Sequence, residues 1–115
     1  MVSLVFSFRA RRRDIRRIGM ALQSIAQPAQ LDRACLHCGI LHAFDAPGSF
    51  MYFEDWDTED DLRQQLCSQR FTQLLSLMES AADPPQLEIR SVGQVRGLDY
   101  IRELREVRAT LPADL

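Results

Sequence analysis

The chain has 115 residues, 46% hydrophobic and 26% charged, with 14 basic and 16 acidic side chains. That length holds one domain with a core of its own and is too short for two, and the composition excludes a disordered or fibrous protein. The net charge of −2 gives no general attraction to nucleic acid, which is therefore not an expected partner.

Val2, Leu4, Phe6 and Phe8 alternate with Ser3, Val5 and Ser7, which predicts a first strand. The apolar start, Met1 to Phe8, is far shorter than the roughly 20 residues of a spanning helix, and an arginine-rich run after it is the wrong order for a secretory signal. The expectation is a cytoplasmic protein with no membrane partner. From about Arg11 to Ala26, the residues Ile15, Ile18, Leu22 and Ile25 recur at steps of three and four, an amphipathic helix that Pro28 should end. Ala34 to Phe44 reads as a second strand, Asp45-Ala46-Pro47-Gly48 as a turn, and Phe50 to Trp56 as a third strand closing a hairpin. Thr58 with Asp61 three residues on resembles a capping box, so a helix should start there. Its stripe runs through Leu62 and Leu66, breaks near Cys67 to Gln69, and resumes with Phe71, Leu74, Leu75 and Met78, which predicts a kinked or two-part helix. Asp83-Pro84-Pro85 is a stop. Leu87 to Gly93 alternates as a fourth strand, and Leu98, Ile101 and Leu104 predict a last helix.

The order βαββαβ predicts an α+β, ferredoxin-like domain over residues 1–95, an antiparallel sheet with both helices on one face, and a helical extension over 96–115. The parity of the third strand puts Tyr52, Glu54 and Trp56 on one side and Met51 and Phe53 on the other, the latter taken as facing the helices. Ser7 lies opposite Leu4, Phe6 and Phe8. The uncovered face would then carry Trp56 and Tyr52, and burial against a second copy, a homodimer, is the expected remedy.

The stretch Phe53-Glu54-Asp55-Trp56-Asp57-Thr58-Glu59-Asp60-Asp61-Leu62, followed by Ser68-Gln69-Arg70-Phe71, resembles the strand-to-helix signature of the antibiotic biosynthesis monooxygenase family, whose members build dimeric α/β barrels. Ala34-Cys35-Leu36 and Pro84-Pro85 fall where that pattern has similar residues, and the resemblance spans residues 2 to 95. It implies a homodimer with a pocket between sheet and helices, and oxidation of an aromatic or quinol-type small molecule by dioxygen without a cofactor. Carried over residue by residue, it implies Trp56 and Gln65 as catalytic positions and Ser7, Tyr52, Glu54 and Phe71 as lining for a small aromatic ligand. Gln65 stands where the family commonly has a histidine, and glutamine does not exchange a proton near neutral pH. Ser7 stands where haem-degrading members have an asparagine. The alternative is therefore a non-catalytic, dimeric ligand-binding or protein-interaction protein of the same fold.

Cys35-Leu36-His37-Cys38 with His42 suggests a metal, but a regular strand would put Cys35 and Cys38 about 10 Å apart on opposite faces. No metal is expected, and Cys35, Cys38 and Cys67, an odd count, are expected to be free thiols. Six arginines from Arg9 to Arg17 and six acids from Glu54 to Asp61 are expected at opposite ends of the sheet.

Overall fold

A computed structural model describes residues 1–110. The elements in order are β1 (Val2–Arg9), a 3-10 turn (Arg12–Asp14), α1 (Ile15–Gln30), β2 (Cys35–His42), β3 (Ser49–Trp56), α2 (Glu59–Leu66), α3 (Gln69–Met78), β4 (Gln86–Ser91) and α4 (Leu98–Thr110). The strands form one antiparallel sheet in the order β2-β3-β1-β4, the ferredoxin-like α+β fold expected from the sequence.

The core lies between the sheet and α1, α2 and α3. Val2, Leu4, Phe6 and Phe8 of β1 and Phe50, Tyr52 and Trp56 of β3 meet Ile18, Leu22 and Ile25 of α1, Leu62 of α2, and Phe71 and Leu74 of α3. Fully burying such a side chain stabilises by about 1.5–3 kcal/mol, so this layer is the main source of stability. The two-part helix has a local cause. Thr58 Oγ1 accepts from the Asp61 amide at 3.2 Å, and Ser68 Oγ accepts from the Phe71 amide at 3.2 Å, so a second N-cap interrupts the run and restarts it.

Three readings are corrected. Pro28 does not end α1 but sits in its last turn, exposed, while Ala26 and Ala29 on the buried side hold the helix to the sheet. The sheet faces are the reverse of the expectation. Tyr52, Glu54 and Trp56 pair with Phe6, Leu4 and Val2, point to the helices and are fully buried, whereas Met51 and Phe53 pair with Ser7 and Val5 on the uncovered face. The apolar side of β1 decides this, because paired residues of neighbouring strands share a face. Finally, a register shift between Cys35 and His37 puts Cys35 opposite Trp56 and Cys38 opposite Glu54, so both thiols lie on the helix-facing side.

α4 belongs to no layer. All of its 13 residues are exposed, Leu98, Ile101, Leu104 and Val107 among them at 52 to 58%. The radius of gyration is 18.3 Å, against about 13 Å for a compact domain of roughly this length. Residues 111–115 of the expected extension lie outside the described residues.

Gly48 in the β2–β3 turn has φ +90°, and its carbonyl oxygen accepts a hydrogen bond from the Ala10 amide at 2.8 Å. A Cβ there would stand 2.7 Å from the Ala10 carbonyl oxygen. Gly48→Ala should therefore cost about 1–3 kcal/mol in urea unfolding, and an unchanged midpoint would show that the turn relaxes freely.

Candidate functional site

Within the apolar layer one cluster is polar. Glu54, on the helix-facing side of β3, has no solvent exposure, yet both of its oxygens are bonded. Arg70 of α3 donates from one terminal nitrogen to Glu54 Oε2 at 2.5 Å and from the other to Oε1 at 3.1 Å, a two-pronged ion pair. The Tyr52 hydroxyl donates to Oε2, and Trp56 Nε1 donates to Oε1 at 2.9 Å. The same guanidinium reaches the Tyr52 hydroxyl at 3.0 Å, the Ile25 carbonyl at 3.3 Å and Gln65 Oε1 at 2.8 Å. The Cys38 thiol donates toward the Tyr52 hydroxyl at 3.6 Å. Among the described residues, no buried side-chain nitrogen or oxygen lacks a partner.

The surroundings shape the titration of these groups. Burial, then the charge and hydrogen bond of Glu54, pushes the Tyr52 phenol well above its ordinary range, so it remains a protonated donor. Burial works to lower the Arg70 pKa, but the hydrogen bonds and charge of Glu54 outweigh it and hold the guanidinium charged. Burial, then the charges of Cys38 and Glu54, pushes the Cys35 thiol up to about 12, and burial also raises Cys38. Thiols held protonated are poor nucleophiles.

Of the residues singled out from the sequence, Tyr52, Glu54, Trp56 and Gln65 come together here. Phe71 is buried in the core beside them. Ser7 is not part of the cluster: it faces the open side of the sheet, at a cavity of about 310 Å³ lined also by Leu41, His42, Ala43, Phe50 and Met51. Arg70 was not identified from the sequence, although a signal existed. With Leu66 and Leu74 it forms a row of steps of four, so a charge sits in the apolar stripe, just as Glu54 sits in the apolar parity of β3. His37 points away from the cluster and meets Asp55 at 3.4 Å on the open side. Among the described residues no group of three or more His, Cys, Asp or Glu is placed to hold a metal ion, and no helix is long and apolar enough to cross a membrane.

Breaking a buried ion pair from one side strands the other charge and costs about 3–5 kcal/mol, while replacing both partners is often near neutral. Glu54→Gln should lose that amount in chemical denaturation, and Glu54→Gln with Arg70→Met should recover most of it. A strictly additive double variant would show that the pair does not act as a unit. The thiols give a second expectation. Because the folded-state pKa of Cys35 is raised from 9.0 to about 12, its contribution is intact below pH 9 and lost as pH rises towards 12. Stability should fall across that window, and less steeply in Cys35→Ser. In the native protein an aromatic disulfide reagent should label exposed Cys67 and spare Cys35 and Cys38.

No family profile and no curated protein matches the sequence. Solved structures do match the fold. A Deinococcus radiodurans protein assigned as an antibiotic biosynthesis monooxygenase superposes with a TM-score of 0.77 at 19% identity, covering 85% of this chain and 98% of that one. A Nitrosomonas europaea protein of the same assignment gives 0.72 at 14%, covering 82% and 100%. A Mycobacterium tuberculosis protein gives 0.72 at 14%, covering 84% and 98%. The neighbours' chains are thus spanned almost whole by about four-fifths of this one. With its strand order, its sheet-and-helix layer and these superpositions, the chain has the fold of the proteins named antibiotic biosynthesis monooxygenases.

Proposed function

We propose that this chain is a cytoplasmic, homodimeric small-molecule-binding protein of the antibiotic biosynthesis monooxygenase fold, which binds an aromatic ligand without turning it over. The observation that carries this reading is the commitment of the polar atoms around Glu54. Both carboxylate oxygens, the Tyr52 hydroxyl, Trp56 Nε1 and Gln65 Oε1 are held by one another or by Arg70. A general base must reach its substrate's proton within hydrogen-bond distance. Glu54 is the one carboxylate in the cluster, and it is enclosed by its own partners. Gln65 has no proton to exchange. Towards solvent the cluster presents Arg70, whose side chain is 11% exposed, and half-buried Gln65. A planar guanidinium stacks on an aromatic face, and Gln65 adds an amide beside it. The dimer is supported by the uncovered sheet face with Leu41, Met51 and Phe53.

A second reading, cofactor-independent oxidation of an aromatic or quinol-type molecule by dioxygen, is favoured by one observation: a phenol, a carboxylate and a guanidinium are hydrogen-bonded in sequence inside a water-poor layer. There Glu54 would receive the substrate proton once Tyr52 or Trp56 released it.

Three measurements test these readings together. Ultracentrifugation at micromolar concentration should show a dimer. A panel of aromatic acids and quinols should include compounds that raise the thermal midpoint, an effect lost in the Glu54→Gln, Arg70→Met double variant, with oxygen uptake at the buffer rate. Saturable uptake with a quinol, lost in Trp56→Ala, would establish oxidation instead.

A further inference from the structure

α4 is a helix without a partner in its own chain. Its apolar residues Leu98, Ile101, Leu104 and Val107 are spaced by three, and Tyr100 adds a ring, yet all are 40 to 58% exposed. A 13-residue helix is marginal in water without tertiary packing. The linker to it, 92–97, contains Gly93 and Gly97, where an added Cβ would meet nothing within 4 Å, so the linker runs through open space at both glycines. It also follows the last strand of the fold shared with the neighbours, in a chain longer than that fold requires.

An apolar receiving surface exists, at the other end of the molecule. The cavity of about 310 Å³ opens on the uncovered face beside Leu41 and Met51, exposed at 57 and 39%, with Phe44 of the hairpin fully exposed next to it. It lies at the end of the sheet where Arg9 pairs with Ser49, whereas β4 ends at Ser91, opposite Val2 and hence beside Trp56. The chain thus leaves β4 at the end away from its own groove.

We infer that α4 is an exchanged arm, docking in the Leu41–Met51 groove of a second copy of this chain across a two-fold axis that reverses the ends of the sheet. This rests on the homodimer proposed above and adds to it a surface, an occupant and an orientation. Charge supports the orientation. Arg11, Arg12, Arg13 and Arg16 are exposed at the groove end, while Asp57, Glu59 and Asp60 are exposed at the opposite end. Reversing the ends faces the basic end of each copy with the acidic end of the other, twice; keeping them aligned faces like with like. Area supports the arm. A face four strands wide and eight residues long covers roughly 500 Å² at ordinary strand spacing, short of the about 800 Å² per partner of a standard interface. One side of α4 contributes roughly 200 Å² more, and since the receiving groove already belongs to the counted face, the exchange brings the interface to roughly 700 Å² per partner, close to that standard size. The six-residue linker reaches about 20 Å when extended, so α4 need not stay where β4 releases it.

The test is a double-mutant cycle on the full chain, read by sedimentation equilibrium and by thermal unfolding. The arm carries Ile101→Asp with Leu104→Asp, the groove carries Leu41→Glu, and all three positions are exposed in the protomer, so the fold itself is not at stake. Each single set should weaken the dimer at least tenfold, and the combination should weaken it little more than either alone. Rising salt should weaken the unmodified dimer as well. A stable dimer indifferent to the arm substitutions overturns the arm and leaves the homodimer standing. Full and independent losses from the two sets overturn the pairing of arm with groove. A lower unfolding midpoint with an unchanged dimer constant means that α4 folds back on its own sheet, which also overturns it. An unmodified chain that is monomeric at micromolar concentration overturns the homodimer and the arm together.

Discussion

The interaction on which the rest of this structure depends is the ion pair of Glu54 and Arg70. A carboxylate with no exposure and a guanidinium with little cannot stay charged in an apolar layer unless each has the other and their remaining sites are filled. That requirement recruits Tyr52, Trp56, Gln65 and the Ile25 carbonyl around them. It also ties β3 to α1 and α3 at one point, so α3 cannot slide along the sheet without stranding two charges. An apolar layer alone tolerates such slippage more easily, because hydrophobic burial has no direction.

The same arrangement governs what chemistry the layer can perform. A phenol whose pKa is raised by burial and a neighbouring carboxylate stays a protonated donor, and thiols raised by burial are poor nucleophiles. Of Tyr52, Glu54, Trp56, Gln65 and Arg70, only Arg70 and Gln65 keep some exposure to solvent. The fold is shared with proteins named for oxidation, yet a fold carries many functions, so the shared fold by itself names neither a ligand nor a reaction for this chain.

Outside the core the chain is organised by polarity. One sheet face is closed by helices and the other is bare. One end collects arginines, the other acids, and the last helix stands away from both. Arginines in the first turn of α1 oppose its dipole, with Asp14 near Arg17 at 3.4 Å as local relief. These are the features on which the proposed dimer rests.

Periodicity alone carried the order of elements, the break at Ser68 and the turn at Gly48, because apolar spacing, N-caps and positive φ are local properties that neighbouring residues determine. The presence of Tyr52, Glu54 and Trp56 on one face of β3 was equally legible. Which way that face points was not: alternation separates two sides of a strand but does not say which side the helices take, and only the pairing with Phe6, Leu4 and Val2 decides it. The parity of a regular strand puts Cys35 and Cys38 on opposite faces, and one extra residue in the ladder brings them to the same one. The role of Arg70 is hidden in the sequence for a related reason. A charge inside an apolar stripe shows that a buried partner exists, but the partner, sixteen residues away, is selected by how α3 lies over β3. Local spacing therefore determined the elements and their caps, and tertiary packing decided the faces and the pairing of charges, since both depend on distances between segments far apart in the chain.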